Sequence, residues 1–181
     1  MKLFSILWIL TLVSCTAPAI SCTSDQEETL SRLSPAQWVV LYNAYDVGAP
    51  YDLGHTMMAI AFHESKAGVY RANLQTNDSG VMQNNLATAK ARRGISGYYA
   101  TMELVSRLVR DDVLSMQLAL EELLYWRDSR KLSWKDMISA YNSGNNYAYN
   151  KAYLTKLVPV TQMFMQCVQL VLLEQEDYDE Y

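Results

Sequence analysis

Glycine and proline are scarce in this chain, seven and four in 181 residues, and the alternation of β-branched with polar residues is almost absent. Half-buried strands need that alternation, so a helical fold is favoured. Charged residues make up only 19% and hydrophobic residues 50%, a balance that buries a real core and excludes wholesale disorder. A basic excess is also missing. The formal charge is −4 and the pI about 5.1, which argues against a nucleic-acid binder but leaves neutral and zwitterionic polymers open as substrates. Only two histidines occur. Glu64 follows His63, but the second His of an H-E-x-x-H zinc site would fall at Ala67. With His55 too distant and no carboxylate cluster at hand, neither a metal nor a cofactor is expected.

The one long apolar run is N-terminal. Lys2 supplies a positive start, Leu3 to Val13 is apolar but too short to span a bilayer as a folded helix, and small residues follow. Residues 1–21 therefore read as a signal peptide and imply export to the periplasm. Two processing sites compete. Ala17-Pro18-Ala19 has the A-x-A form of ordinary cleavage, whereas Leu12-Val13-Ser14-Cys15 resembles the bacterial lipobox, whose Cys becomes an acylated first residue. The apolar run ends directly on the second, which favours a lipoprotein with the membrane as partner through Cys15. Either cut leaves Cys22 and Cys167. An even pair in an oxidising compartment suggests a disulfide, and Cys167 reads equally as a buried small hydrophobe within an apolar stretch. Neither is placed like a nucleophile.

Residues 22–33 are polar and acidic and read as a tether before one domain over 34–175, with an acidic tail at 176–181. Ser34-Pro35 predicts an N-cap and first helical residue, opening a helix to about Tyr45. Asp52 is the expected cap of the next, which runs to about Ser65. A loop carrying Gly and Asn follows to Gly80. Short helices come next, starting near Asn85, Tyr98 and Asp112, then one capped by Ser133. A last helical stretch from about Tyr147 contains Pro159. The pattern is that of a single all-α domain.

Leu53, Met57, Ile60, Ala61 and Glu64 fall on one helical stripe. Glu64 thus continues an apolar face at a helix C-terminus, where burial and the helix dipole both raise a carboxyl pKa. A general acid that must be protonated near neutrality needs such a place. By spacing alone, a surface Glu at a helix end accounts for the position at least as well.

Further motifs lie downstream of Glu64-Ser65. Asp78-Ser79-Gly80-Val81-Met82-Gln83-Asn84-Asn85 comes first, then Ala140-Tyr141-Asn142-Ser143-Gly144, then Tyr153-Leu154-Thr155-Lys156-Leu157. In that order they resemble the soluble lytic transglycosylase family of the goose-type lysozyme-like superfamily: an E-S pair ending a helix, a G-[LV]-M-Q turn, an A-Y-N-x-G segment and a late Tyr. The form of the turn is similar to members carried by phages and conjugation systems. Asp111 to Ala119 fits weakly a further stretch, with Ser115, Met116 and Ala119 at its Asn, Ile and Gly positions and Asp112 in place of Pro.

The resemblance implies a lysozyme-like helical domain acting on peptidoglycan strands, with wall-spanning machinery as a conceivable partner. It implies that Glu64 alone serves as acid and then base, cutting between MurNAc and GlcNAc to leave a 1,6-anhydro sugar. Ser65 would support the acid, Tyr141 would bond its carboxyl, Asn142 would contact substrate or brace the loop, and Tyr153 would be a similar candidate half a cleft away. Met82 would pack on a sugar face and Gln83 bond sugar groups, or else fill the core and brace the loop. Asp78 is the acidic residue nearest the turn. Facing Glu64 across a water, it would permit hydrolysis instead.

Overall fold

Met57, Met58, Ala59, Ile60 and Ala61 are consecutive and all wholly buried, so the middle of the helix that carries them has no solvent face. A helix apolar all round must be wrapped by others, and here it is. The computed structural model describes residues 22–149 and 151–176; residues 1–21, with Cys15 and both processing sites, and the tail beyond 176 lie outside the described residues. In chain order the helices are α1 (Ser24–Ser31), α2 (Pro35–Gly48), α3 (Gly54–Ser65), α4 (Leu86–Arg93), α5 (Tyr98–Arg110), α6 (Asp112–Leu124), α7 (Trp134–Ser143) and α8 (Lys151–Glu176). Between α3 and α4 the strands β1 (Ala72–Asn73), β2 (Asp78–Ser79) and β3 (Asn84–Asn85) pair antiparallel in the order β1-β2-β3. The architecture is all-α, with this small sheet set into one loop.

Helix α3 packs between α2 and α8, and α6 closes over α2. Leu41, Met57, Ile60, Met116, Leu123, Ile138, Leu157 and Phe164 from these helices and α7 form the main core. A smaller cluster of Ala89, Leu104, Leu108 and Leu118 holds α4 and α5 onto the back of α6.

Local chemistry sets most of the boundaries. Ser34 accepts the Gln37 amide and Gln37 returns a side-chain bond to Ser34, a reciprocal cap with Pro35 at the first helical position. Asn85, Asp111 and Ser133 cap α4, α6 and α7 one way, each side chain accepting the backbone amide three residues on. Helix α8 runs through Pro159. That residue is exposed, so the carbonyl it cannot bond is able to reach water.

Three expectations are corrected. Asp52 does not cap α3: Pro50 lies in a tight 3₁₀ turn (Ala49–Tyr51), and Asp52 leaves it in the left-handed conformation at φ 59°, which Asp tolerates. The residue before α3 is Leu53, with no side-chain cap.

The presumed tether is a helix as well. Thr23 and Gln26 form a capping box for α1, Leu30 is buried, and Gln26 bonds Gln166 of α8 at 3.2 Å. Cys22 is joined to Cys167 by a disulfide across 145 residues of sequence. The expected membrane partnership through a lipid anchor is corrected as far as the described residues reach: Cys22 is taken up in this cross-link and offers no free sulfur to a lipid, while Cys15, where the anchor was expected, lies outside the described residues. Among the described residues no helix is long and apolar enough to cross a membrane.

A cross-link that closes so long a loop removes much unfolded-state entropy. Replacing Cys22 and Cys167 together by Ser should lower the unfolding free energy by about 2–4 kcal/mol in urea titrations. An unchanged midpoint would show that α1 adds no stability through the bond.

Candidate active site

Helix α3 ends abruptly at Ser65, the residue after Glu64. Lys66, Ala67 and Gly68 take positive φ values of 53°, 53° and 88°, so the chain turns away within a single residue of Ser65. Two of these are not glycine, and each left-handed residue of that kind costs on the order of 1 kcal/mol or more. The stop is held from inside. Ser65, wholly buried, donates to the Ala61 carbonyl at 3.0 Å and accepts the Gly68 amide at 2.8 Å.

The stop leaves Glu64 at the end of the apolar stripe, facing a cleft of about 360 Å³. Its walls are the β2–β3 hairpin with Asp78 and Gln83, helix α4 with Arg92, helix α6 with Glu122, and the end of α7 from Ala140 to Gly144. From α8, Tyr153 donates its hydroxyl to Glu64 Oε1 at 2.5 Å. Burial pushes the Glu64 carboxyl up from 4.5 to about 7; the Tyr153 bond opposes that rise, and the charge of Asp78 adds to it. Burial and the nearness of Glu64 raise both Tyr153 and Tyr141 well above the ordinary phenol range, so both stay neutral donors. The His63 ring packs edge-on against Tyr153 at 5.3 Å. Burial, with help from Lys156 and Lys66, lowers its pKa, which leaves it neutral beside the acid.

Opposite Glu64, the Gly80–Asn84 turn is fastened to α6 by one hydroxyl. Ser115, wholly buried, accepts the Met82 amide at 3.1 Å and the Asn84 side chain at 2.7 Å. Gly80 stands at φ 86°, and a Cβ there would meet Ser115 Oγ at 2.4 Å and the Leu108 carbonyl at 2.7 Å. Only glycine fits. Tyr141 fastens the same turn from α7, donating to the Met82 carbonyl at 2.8 Å.

Of the expected residues, Glu64, Gln83, Tyr141 and Asn142 line the cleft, whereas Ser65, Met82 and Tyr153 are buried and do not. Tyr153, not Tyr141, bonds the acid. The structure buries Ser65 and Met82 completely, so neither offers a side chain to a substrate; the first ties the helix stop and the second is core. Gln83 lines the cleft while its amide donates to the Tyr70 and Gly80 carbonyls at 3.1 and 3.0 Å. Asn142 lines the cleft beside Tyr141. Sequence reasoning missed Asn84, Arg92 and Glu122, and saw Ser115 only as a weak match at an Asn position. Among the described residues no group of three His, Cys, Asp or Glu side chains converges to hold a metal.

A buried carboxyl raised to about 7, lining a cleft in an all-helical domain, is the kind of general acid that glycosidic bond cleavage needs. The family model of the transglycosylase SLT domain matches residues 41–156, and the chain belongs to that family. It is also similar to an uncharacterized 20.7 kDa protein in the vs-regB intergenic region of Enterobacteria phage T4, 34% identical over 107 residues that make up 59% of each chain. The chain therefore spans less than two thirds of that relative. No solved structure matches it.

The raised carboxyl has a consequence for stability. The folded state holds the Glu64 proton more tightly than the unfolded chain, so this contribution is complete below about pH 4.5 and is lost as pH rises through 7. Glu64→Gln is neutral at every pH. Its unfolding free energy should match the parent near pH 4 and exceed it by about 3 kcal/mol above pH 8, read from chemical denaturation at each pH. A gap that does not grow with pH would contradict the raised value.

Proposed function

We propose that the cleft cuts the β-1,4 bond between MurNAc and GlcNAc in peptidoglycan and leaves a 1,6-anhydro end. Glu64 supports this reading above all: a buried carboxyl, half-protonated at about pH 7, inside the family-matched region. In its protonated form it gives its proton to the glycosidic oxygen as the C1–O bond breaks, and the GlcNAc side leaves as an alcohol. The acetamido oxygen of MurNAc covers the anomeric carbon in the interval. Glu64, now a carboxylate, takes the proton of the C6 hydroxyl while O6 bonds C1 and displaces the acetamido oxygen. No water is consumed, and the acid is restored to its starting form.

Tyr153 aims the carboxyl and, by bonding the ionised form, eases the first proton transfer. The turn fastened by Ser115 and Tyr141 brings backbone and Gln83 to the sugar, and Asn142 lies within reach of it. The leader-like residues 1–21 and the disulfide suit an exported enzyme that meets the wall outside the cytoplasm.

Asp78 favours a second reading. It lines the same cleft and its charge reaches Glu64, as a base for a hydrolytic water would. Its carboxylate accepts a bond from Asn85 at 3.1 Å, an engagement that suits a structural role better. Product mass decides between the two. Purified protein incubated with peptidoglycan should release anhydro muropeptides, about 18 Da lighter than the hydrolytic products because no water is added. Glu64→Gln should reduce release by about 10³-fold or more while remaining folded. Reducing-end products would establish hydrolysis, and undiminished release from Glu64→Gln would remove the acid from its role.

A further inference from the structure

The proposed reaction uses Glu64 and leaves a guanidinium that lines the same cleft unexplained. Arg92 is the one basic side chain among the described residues that line the cleft, and the other charged ones are Glu64, Asp78 and Glu122. It is held unusually firmly. Nε and Nη2 both donate to Glu122 Oε2, at 2.8 and 2.5 Å, and the guanidinium lies 4.8 Å over the Tyr125 ring. Glu122 is fixed in turn, because its other oxygen accepts the indole N–H of Trp126. The Arg92 side chain still exposes a quarter of its surface, and Nη1 donates to no described residue. A surface ion pair that only stabilised the fold would be worth little and would need no such clamp. A guanidinium pinned by a carboxylate and a ring has lost its rotamer freedom in advance, so an incoming ligand need not order it.

The remaining question is what it waits for. The sugar rings of a glycan strand are neutral, and such rings alone would not call for a cation. The lactyl branch of MurNAc is different: it ends in a carboxylate when bare and carries the carboxylates of the stem peptide when substituted. An acidic cleft would repel either group unless a positive charge met it there. We infer that Arg92, clamped by Glu122 and Tyr125 at the α4–α6 wall of the cleft, is a subsite for a carboxylate on the lactyl branch of the substrate. The inference rests on the proposed peptidoglycan reading and adds a substrate preference to it.

Binding tests it without turnover. Glu64→Gln protein is titrated calorimetrically with three saccharides of equal length: a GlcNAc oligomer without carboxylates, a bare GlcNAc–MurNAc strand, and the same strand bearing stem peptides. One or both carboxylate-bearing strands should bind at least about tenfold more tightly than the oligomer, the worth of a charge-assisted bond, and the strand with the advantage identifies the source. Adding Arg92→Ala or Arg92→Gln should reduce that ratio to near one, with thermal melts showing that each variant is folded; the Gln variant retains a donor for Glu122. A ratio that survives both substitutions, or no carboxylate preference before them, overturns the subsite and leaves the proposed function standing. No binding of any saccharide overturns both.

Discussion

The short bond from Tyr153 to Glu64 joins two helices that the rest of the molecule exists to align. A carboxyl pushed up to about 7 by burial is useful only if its proton points into the cleft, and a single phenol on α8 aims it. That contact requires α8 to lie along α3 in a fixed register. Phe164 packs its ring against Phe62 at 5.8 Å, Leu157 fills the core between them, and the disulfide at Cys167 ties the far part of α8 to α1. His63 supports the phenol from the residue preceding the acid. Burial raises the carboxyl and the hydrogen bond moderates the rise, so the acid is left near neutrality by opposition rather than by either effect alone.

The opposite wall follows the same logic of one polar group doing several jobs in a dry place. Ser115 sits on a helix face otherwise given to Met116, Ala119 and Leu123, yet its hydroxyl anchors both the Met82 amide and the Asn84 side chain. A buried hydroxyl costs free energy unless its bonds are made, and here they are made to the turn that faces the acid. Gly80 completes the arrangement because any side chain would collide with that same hydroxyl. Gln83 and Asn84 of the turn line the cleft, while Met82 turns its side chain into the core.

Much of this was legible in the sequence. Caps at Ser34 and Ser133 use rules that depend on three or four neighbouring residues, and the stripe ending at Glu64 needs only helical spacing. The turn motif marked where the second wall would form. Contacts made at long range were not legible. Which of Tyr141 and Tyr153 reaches the acid depends on how α7 and α8 dock, and no local pattern records that. Met82 resembled a sugar platform until packing showed its side chain wholly inside. The Arg92–Glu122 pair is separated by thirty residues, and basic residues at a helix end are ordinary dipole partners. The segment before Ser34 failed for another reason: its composition is that of a solvated linker, and a covalent bond with one buried Leu was enough to hold it as a helix.

The central claim is that Glu64 is a near-neutral acid whose ionised form Tyr153 favours. Carbon-detected NMR titration of the Glu64 carboxyl, in the parent protein and in Tyr153→Phe, tests it directly. The account predicts a midpoint at about 7 in the parent and a higher one in the variant, since the lost bond had favoured the charged form. A midpoint near the ordinary 4.5, or one that falls or stays put in Tyr153→Phe, would contradict it.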